Sequence, residues 1–314
     1  MLSFISKKRK SGWMAVCFRE RSVTLAHVQR HRDSPPELRF LESFAVEKTE
    51  AAALQRLRSA HQLNTYACTT LLDKGDYAIS TLDTPPVPIE ERREALRWQL
   101  KGIVNYPVDN ACLEVLDIPG AGLPTGRSGS VLVVSAESAA VSKRAAPFVA
   151  AKIPLETIDV PEFALRNVAA LFEDEGRGLV FLNLSEKGAM LILTLGGELV
   201  ADRHRDVNTV QLNSNDADVS KNAHELLTLE VQRSLDNFDR QYRHISISKL
   251  VMATTTAFPG LAAELAQNIS VPLLEMDLSS VMKLPALPEF QDAQYQAKHL
   301  LAIGAALRDE VEGV

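Results

Sequence analysis

The densest group of chemistry-bearing side chains is Asp202-Arg203-His204-Arg205-Asp206, where one imidazole stands between carboxylates and guanidiniums. Zinc takes three or four protein ligands, and no spacing around His204 supplies the others. The run reads as a solvated polar cluster at a strand end, and no metal is assigned. Cys17, Cys68 and Cys112 form no C-x-x-C pair, which leaves three reduced, buried thiols as the expectation. Gly120–Gly129 holds four glycines and a proline. It has neither the Walker spacing nor G-x-G-x-x-G, so it reads as a flexible surface loop and not as a phosphate cradle. With no G-x-S-x-G, H-E-x-x-H or EF-hand pattern, the local signatures of hydrolases and metal enzymes are missing.

The elements that would carry these residues recur in order. Short alternating or apolar runs at Gly12–Phe18, Ser22–Val28 and Leu38–Val46 predict three hairpin-linked strands, followed by a helix over Thr49–Gln62. The same order returns at Leu179–Leu184, Ala189–Leu195 and Glu198–Asp206, with Gly196-Gly197 as a tight turn, before a helix over Ala217–Tyr242. The recurrence predicts a duplicated β-β-β-α unit. In the second helix Leu227, Val231, Leu235, Phe238 and Tyr242 fall within about 80° of one another, one buried stripe. Its charges, including Arg233, Asp236 and Arg240, read as a solvated face.

The chain has 314 residues, 46% hydrophobic, 24% charged and 6% aromatic, enough for about two domains with real cores. A net charge of -6, from 34 basic and 40 acidic side chains, gives no field for nucleic acid. No run approaches the roughly 20 apolar residues of a membrane span. The N-terminus places Lys7-Lys8-Arg9-Lys10 after a short apolar patch at Phe4-Ile5, the reverse of a signal peptide, so an unprocessed cytosolic chain is expected. That basic run reads either as a solubilising tail or as a contact to anionic headgroups.

Thr84-Pro85-Pro86-Val87-Pro88 opens an insertion between the repeats, and its last proline is placed to start a helix from Ile89 to about Gly102. Leu96, Leu100 and Ile103 form the apolar face of that helix, whereas Trp98 lies about 200° from Leu96 on the polar side. Trp98 either packs under another part of the insertion or lines a peptide groove with Tyr106 and Pro107 beside it.

Three stretches carry a family resemblance: Ala95-Leu96-Arg97-Trp98-Gln99, Asn105-Tyr106-Pro107-Val108-Asp109, and Val160-Pro161-Glu162-Phe163-Ala164-Leu165-Arg166-Asn167. Glu230–Leu235, Phe258–Leu261 and Ala302–Arg308 follow in the same order. Together they resemble the PilM-like family of pilus-assembly proteins, most closely its MSHA-pilus members. The resemblance implies an α/β, actin-like fold of two β-β-β-α-β-α lobes around a nucleotide cleft, with the inserted subdomain seen in PilM and FtsA. It implies a first lobe over 1–172 with the insertion at about 84–153, a second lobe over 173–292, and a C-terminal segment, 293–314, returning to the first.

Actin-like ATPases place an Asp in the first hairpin, D-x-G in the second, and a glycine pair against adenosine. Aligned to them, this sequence has Cys17 at the acid, then Phe18, Arg19, Glu20 and Arg21 before Ser22. It has Asn183-Leu184-Ser185 for D-x-G and Ala253-Thr254 in the adenosine segment. Glu186 adds negative charge where phosphates approach, a repulsion on the order of 1 kcal/mol. The resemblance with these departures implies a pseudo-ATPase, similar in this to the cytoplasmic domain of the type II secretion protein GspL, with no catalytic residue and no cofactor expected. Weak binding of ATP and Mg²⁺ through Arg19 or Lys187 stays open. The implied role is a cytoplasmic scaffold, peripheral at the inner membrane, that docks the N-terminal peptide of a PilN-like membrane protein and reaches the pilus extension ATPase. An altered but working nucleotide site, and a self-associating ring or filament component, are the alternatives.

Overall fold

The structure, a computed structural model, describes residues 9–119 and 129–309. Residues 1–8 and all but the last residue of the expected Gly120–Gly129 loop lie outside that range. The chain divides into two compact units. One comprises the N-terminal part to Leu116, Val133–Ala164 and the chain from Ala302 onward; the other comprises Asp117–Leu132 and Leu165–Leu301.

In the first unit, β1 (Trp13–Arg19), β2 (Ser22–His31) and β3 (Ser34–Ala45) form an antiparallel meander. Helix α1 (Glu50–His61) follows, its first turn capped by the Thr49 hydroxyl, which accepts the Ala52 N–H at 3.1 Å. It returns the chain to β4 (Ala67–Leu71), parallel to β1. The chain then makes β5 (Tyr77–Asp83), α2 (Ile89–Gln99), β6 (Ala111–Asp117), β7 (Ser130–Glu137) and α3 (Ser138–Ala151). It closes the sheet with β8 (Leu155–Asp159), parallel to β4, and continues into α4 (Pro161–Ala169). The sheet order is β3-β2-β1-β4-β8. Alternate residues Met14, Val16, Val23 and Leu25 turn one sheet face onto Leu54 and Leu57 of α1 and Phe148 of α3, an all-buried cluster.

The second unit repeats the plan: β9 (Gly178–Ser185), β10 (Gly188–Leu195), β11 (Glu198–Arg205), α5 (Thr209–Leu212), α6 (Ala217–Gln241), β12 (Ile247–Thr254), α7 (Leu261–Asn268) and β13 (Leu273–Glu275). Its order, β11-β10-β9-β12-β13, reproduces the first sheet strand for strand, with an antiparallel meander and two parallel additions. The stripe Leu227, Val231, Leu235, Phe238 and Tyr242 on and just after α6 is buried throughout. Helices α8 (Ala293–Lys298) and α9 (Leu300–Ala306) end the described chain. Helix α8 packs on β12, so the chain passes to the first unit at Ala302 and not at 293. There Trp13 Nε1 donates to the Asp309 carbonyl (3.0 Å), Arg30 Nε to the Leu307 carbonyl (2.8 Å), and Arg308 pairs with Asp159. No helix among the described residues is long and apolar enough to cross a membrane.

Several expectations need correction. The insertion does not span 84–153: β5 already belongs to a separate three-stranded sheet, ordered β5-β7-β6, and α3 packs on α1 as part of the first unit's core. The proline run marks the loop between β5 and α2, a turn inside the inserted piece. Helix α2 stops at Gln99, because the chain turns through Gly102 at φ +88°. That turn leaves Ile103 55% exposed, while Leu96 and Leu100 are buried. Cys68 is buried, but Cys112 is exposed, since the period-two alternation of β6 turns Ala111 and Leu113 inward and Cys112 out.

Gly188 opens β10 at φ +121°, and a Cβ there would meet the Arg205 carbonyl oxygen at 2.5 Å. Gly188→Ala should therefore destabilise the second unit by roughly 2 kcal/mol, read as an earlier urea midpoint by circular dichroism; an unchanged midpoint would show that this hairpin yields freely.

Candidate functional site

The first-unit residues of the expected nucleotide site sit at the end of the β1–β2 hairpin. Cys17 faces Thr24 in register, and Arg19 faces Ser22 across a two-residue turn whose Glu20 adopts φ +52° without being glycine. The Ser22 hydroxyl donates to the Arg19 carbonyl at 2.9 Å, which fixes it within its own turn. Burial pushes the Cys17 thiol up to about 12, with Arg144 pulling it down and Asp159 adding to the rise. A neutral thiol is a poor nucleophile and no ligand for a hard cation, which takes oxygen. Both of those charges are engaged: Arg144 pairs with Asp73 and lies 5.6 Å from the Phe18 ring centre, while Arg308 holds Asp159 and lies 5.6 Å from the Trp13 ring.

The second-unit residues converge on the ends of β9 and β12. Asn183 pairs with Ala253 in register, and Thr254 with Leu184. Asn183 is only 6% exposed, and its Oδ1 has no hydrogen-bond partner among the described residues. The Ser185 hydroxyl accepts the Lys187 N–H at 3.2 Å and donates to the Gly188 carbonyl at 3.3 Å, closing the turn that holds Glu186. Thr254 Oγ1 likewise donates to the Thr256 carbonyl at 2.8 Å. Asn183, Ala253 and Thr254 therefore lie side by side, with Ser185 beyond them at the turn, and Cys17, Arg19 and Ser22 belong to the other unit. Neither hairpin end offers a carboxylate at the expected positions, and two of the hydroxyls and one turn amide are already hydrogen-bonded within the turns.

The three residues singled out for partner binding do come together. Trp98, Lys101, Gly102, Tyr106, Pro107 and Asp109 surround a cavity of about 240 Å³ floored by Val108. Trp98 is 55% exposed. The Tyr106 hydroxyl donates to Ser135 Oγ at 2.9 Å, and burial raises its pKa against that bond. Sequence reasoning missed the residue that shapes the cavity: Arg97 Nη1 donates to the carbonyls of Val108 and Ala111 at 2.8 and 2.7 Å, tying the loop to the end of α2. Its signal was faint, an arginine one position from the exposed tryptophan. Of the basic run, Arg9 pairs with Glu156, and Lys10 donates to the Tyr66 hydroxyl at 3.1 Å. His204, on β11, lies 3.9 Å from Asp202.

Two units with one strand order make the fold actin-like. Among solved structures the chain is similar to a chain of the PilM-PilN type IV pilus biogenesis complex, with TM-score 0.73 and 19% identity over 94% of this chain and 98% of that one. It also matches the cytoplasmic domain of EpsL, an inner membrane component of the type II secretion system of Vibrio cholerae (TM-score 0.49, 12% identity, 96% and 97% covered). A Bacteroides thetaiotaomicron protein with an actin-like ATPase fold and unknown function gives TM-score 0.48 at 9% identity, with 96% and 98% covered. No family model matches the chain, and no curated protein matches it in sequence.

With Cys17 and Cys68 both held near 12 and Cys112 exposed, iodoacetamide at mildly alkaline pH should label Cys112 alone in the folded protein. Cys17 and Cys68 should label only after denaturation, as read by peptide mass mapping. Keeping these thiols neutral stabilises the fold fully below the ordinary thiol pKa, and that contribution falls as pH rises from there toward about 12.

Proposed function

We propose that this chain is a cytoplasmic, actin-like scaffold of a type IV pilus assembly platform of the MSHA-like kind, peripheral at the inner membrane. In this reading it docks the N-terminal peptide of a PilN-like membrane protein and turns over no ATP. The carrying observation is the Trp98–Tyr106–Pro107 cavity, an aromatic-lined recess of about 240 Å³ in the inserted piece. Aromatic side chains at a concave, partly apolar surface are the usual anchors of small interfaces. The fold shared with a chain of the PilM-PilN complex supports the same reading.

The pseudo-ATPase part rests on the hairpin ends. Cys17 is neutral, Ser22 and Ser185 are bonded within their own turns, and Glu186 brings a negative charge to the second turn. What nucleotide chemistry elsewhere uses to grip phosphate and Mg²⁺ is here absorbed into local structure. The scaffold works by holding its partner's tail at the insertion while other surfaces meet the assembly machinery, including the extension ATPase.

Two measurements test the reading. Calorimetric titration of Mg-ATP should give no heat at millimolar nucleotide, whereas binding tighter than about 10 μM, some 7 kcal/mol, would restore a nucleotide-driven mechanism. Trp98→Ala should weaken binding of the PilN-like N-terminal peptide by about 2 kcal/mol, roughly thirtyfold; affinity unchanged within twofold would remove Trp98 from the interface.

A further inference from the structure

Helix α6 has a second apolar face that the docking role leaves unexplained. Val219, Leu226 and Leu229 are 44, 46 and 39% exposed. Together with Asn222 and Arg233 they lie within about 80° around the helix, turned away from the buried stripe. A spacing of seven and then three residues is the seam of a helix pair. Asp216 and Asp218 stand at the start of this face, Lys221 and Glu225 along one flank, and Arg233 at its far end.

We propose that this face pairs with the same face of a second copy, the two α6 helices running antiparallel about a two-fold axis. The charge order selects that occupant. When Val219 is set against Leu229 of the second copy, Asn222 meets Leu226, and Arg233 reaches the first turn that carries Asp216 and Asp218. On the shared flank Lys221 comes opposite Glu225. Each contact occurs twice, as an isologous interface requires, and antiparallel helices oppose their dipoles favourably. Asp218 has no ion-pair partner among the described residues. Within one chain Arg233 pairs with Glu230 at 3.2 Å, but Arg205 also holds that half-buried carboxylate, so Arg233 can turn to the second copy; Lys221 and Glu225, 3.9 Å apart and both exposed, can exchange partners across the interface at little cost. A parallel arrangement would instead set Asp218 against Asp218 and Arg233 against Arg233.

The surface lies wholly in the second unit and does not depend on the docking reading. Sedimentation velocity of the full chain from about 5 to 300 μM should show mass rising toward twice the monomer, the range expected for a small, partly polar interface. Leu226→Lys should keep the chain monomeric throughout, with unchanged circular dichroism and melting midpoint, since the position is exposed. Arg233→Asp should weaken the dimer at least tenfold, and adding Asp218→Arg should recover most of the loss. Trp98→Ala should leave dimerisation as it is. A wild-type monomer at the highest concentration would overturn the proposal. So would a dimer indifferent to Leu226→Lys, or one lost on Trp98→Ala.

Discussion

In each unit one strand is paired antiparallel on one edge and parallel on the other, and the placement of the remaining strands of each five-stranded sheet and of its crossover helix follows from that double pairing. β1 runs between β2 and β4, and β9 between β10 and β12. A hairpin neighbour needs only a tight turn, but a parallel neighbour needs a crossover long enough to hold a helix. α1 and α6 are those crossovers. Because the central strand is covered on its faces, Leu179, Val180, Phe181 and Leu182 are all fully buried, and only its end is free to carry polar residues. That end is where Asn183 and Ser185 fall in one unit and Cys17 and Arg19 in the other.

The same geometry explains how polar groups at these ends behave. An actin-like hairpin end can leave hydroxyls and amides open to a ligand, but open groups at a half-buried strand end carry a desolvation cost. Here Ser22 and Ser185 satisfy themselves within two or three residues. Arg144 and Arg308 each take an aspartate, so the charges around Cys17 cancel locally. Asn183 Oδ1 and Thr255 Oγ1 are the exceptions, two buried oxygens without partners among the described residues at adjacent strand ends.

The repeats were legible in the sequence because hairpin-linked strands and a one-sided helix leave periodic traces; the expected strands and long helices fall within a few residues of those observed. The insertion was not legible in the same way. Its first strand, β5, shows no clean alternation, being partly buried over most of its length, and the proline run drew the boundary to the wrong place. Ile103 matched the helical spacing of Leu96 and Leu100, but Gly102 changes the backbone before that spacing can act. Trp98 was readable as an oddity on a polar face, while its cavity depends on Arg97 reaching carbonyls 11 and 14 residues on, which no local period encodes. The exposed seam of α6 was hidden for the opposite reason: charges beside it made the whole outer face look merely solvated.

The tie between Arg308 and Asp159, with Trp13 and Arg30 gripping the backbone at Leu307 and Asp309, has a consequence for how the chain is made. The first unit is discontinuous, and its segment from Ala302 onward leaves the ribosome after the whole of the second unit. The second unit, nearly contiguous from Leu165 to Leu301, emerges complete before that segment is available. Its folding shortens the effective loop that Leu307–Asp309 must close. The first unit's sheet therefore waits for the segment after Ala302, and a chain cut short before Ala302 would leave Trp13 and Asp159 without the groups that cover and neutralise them.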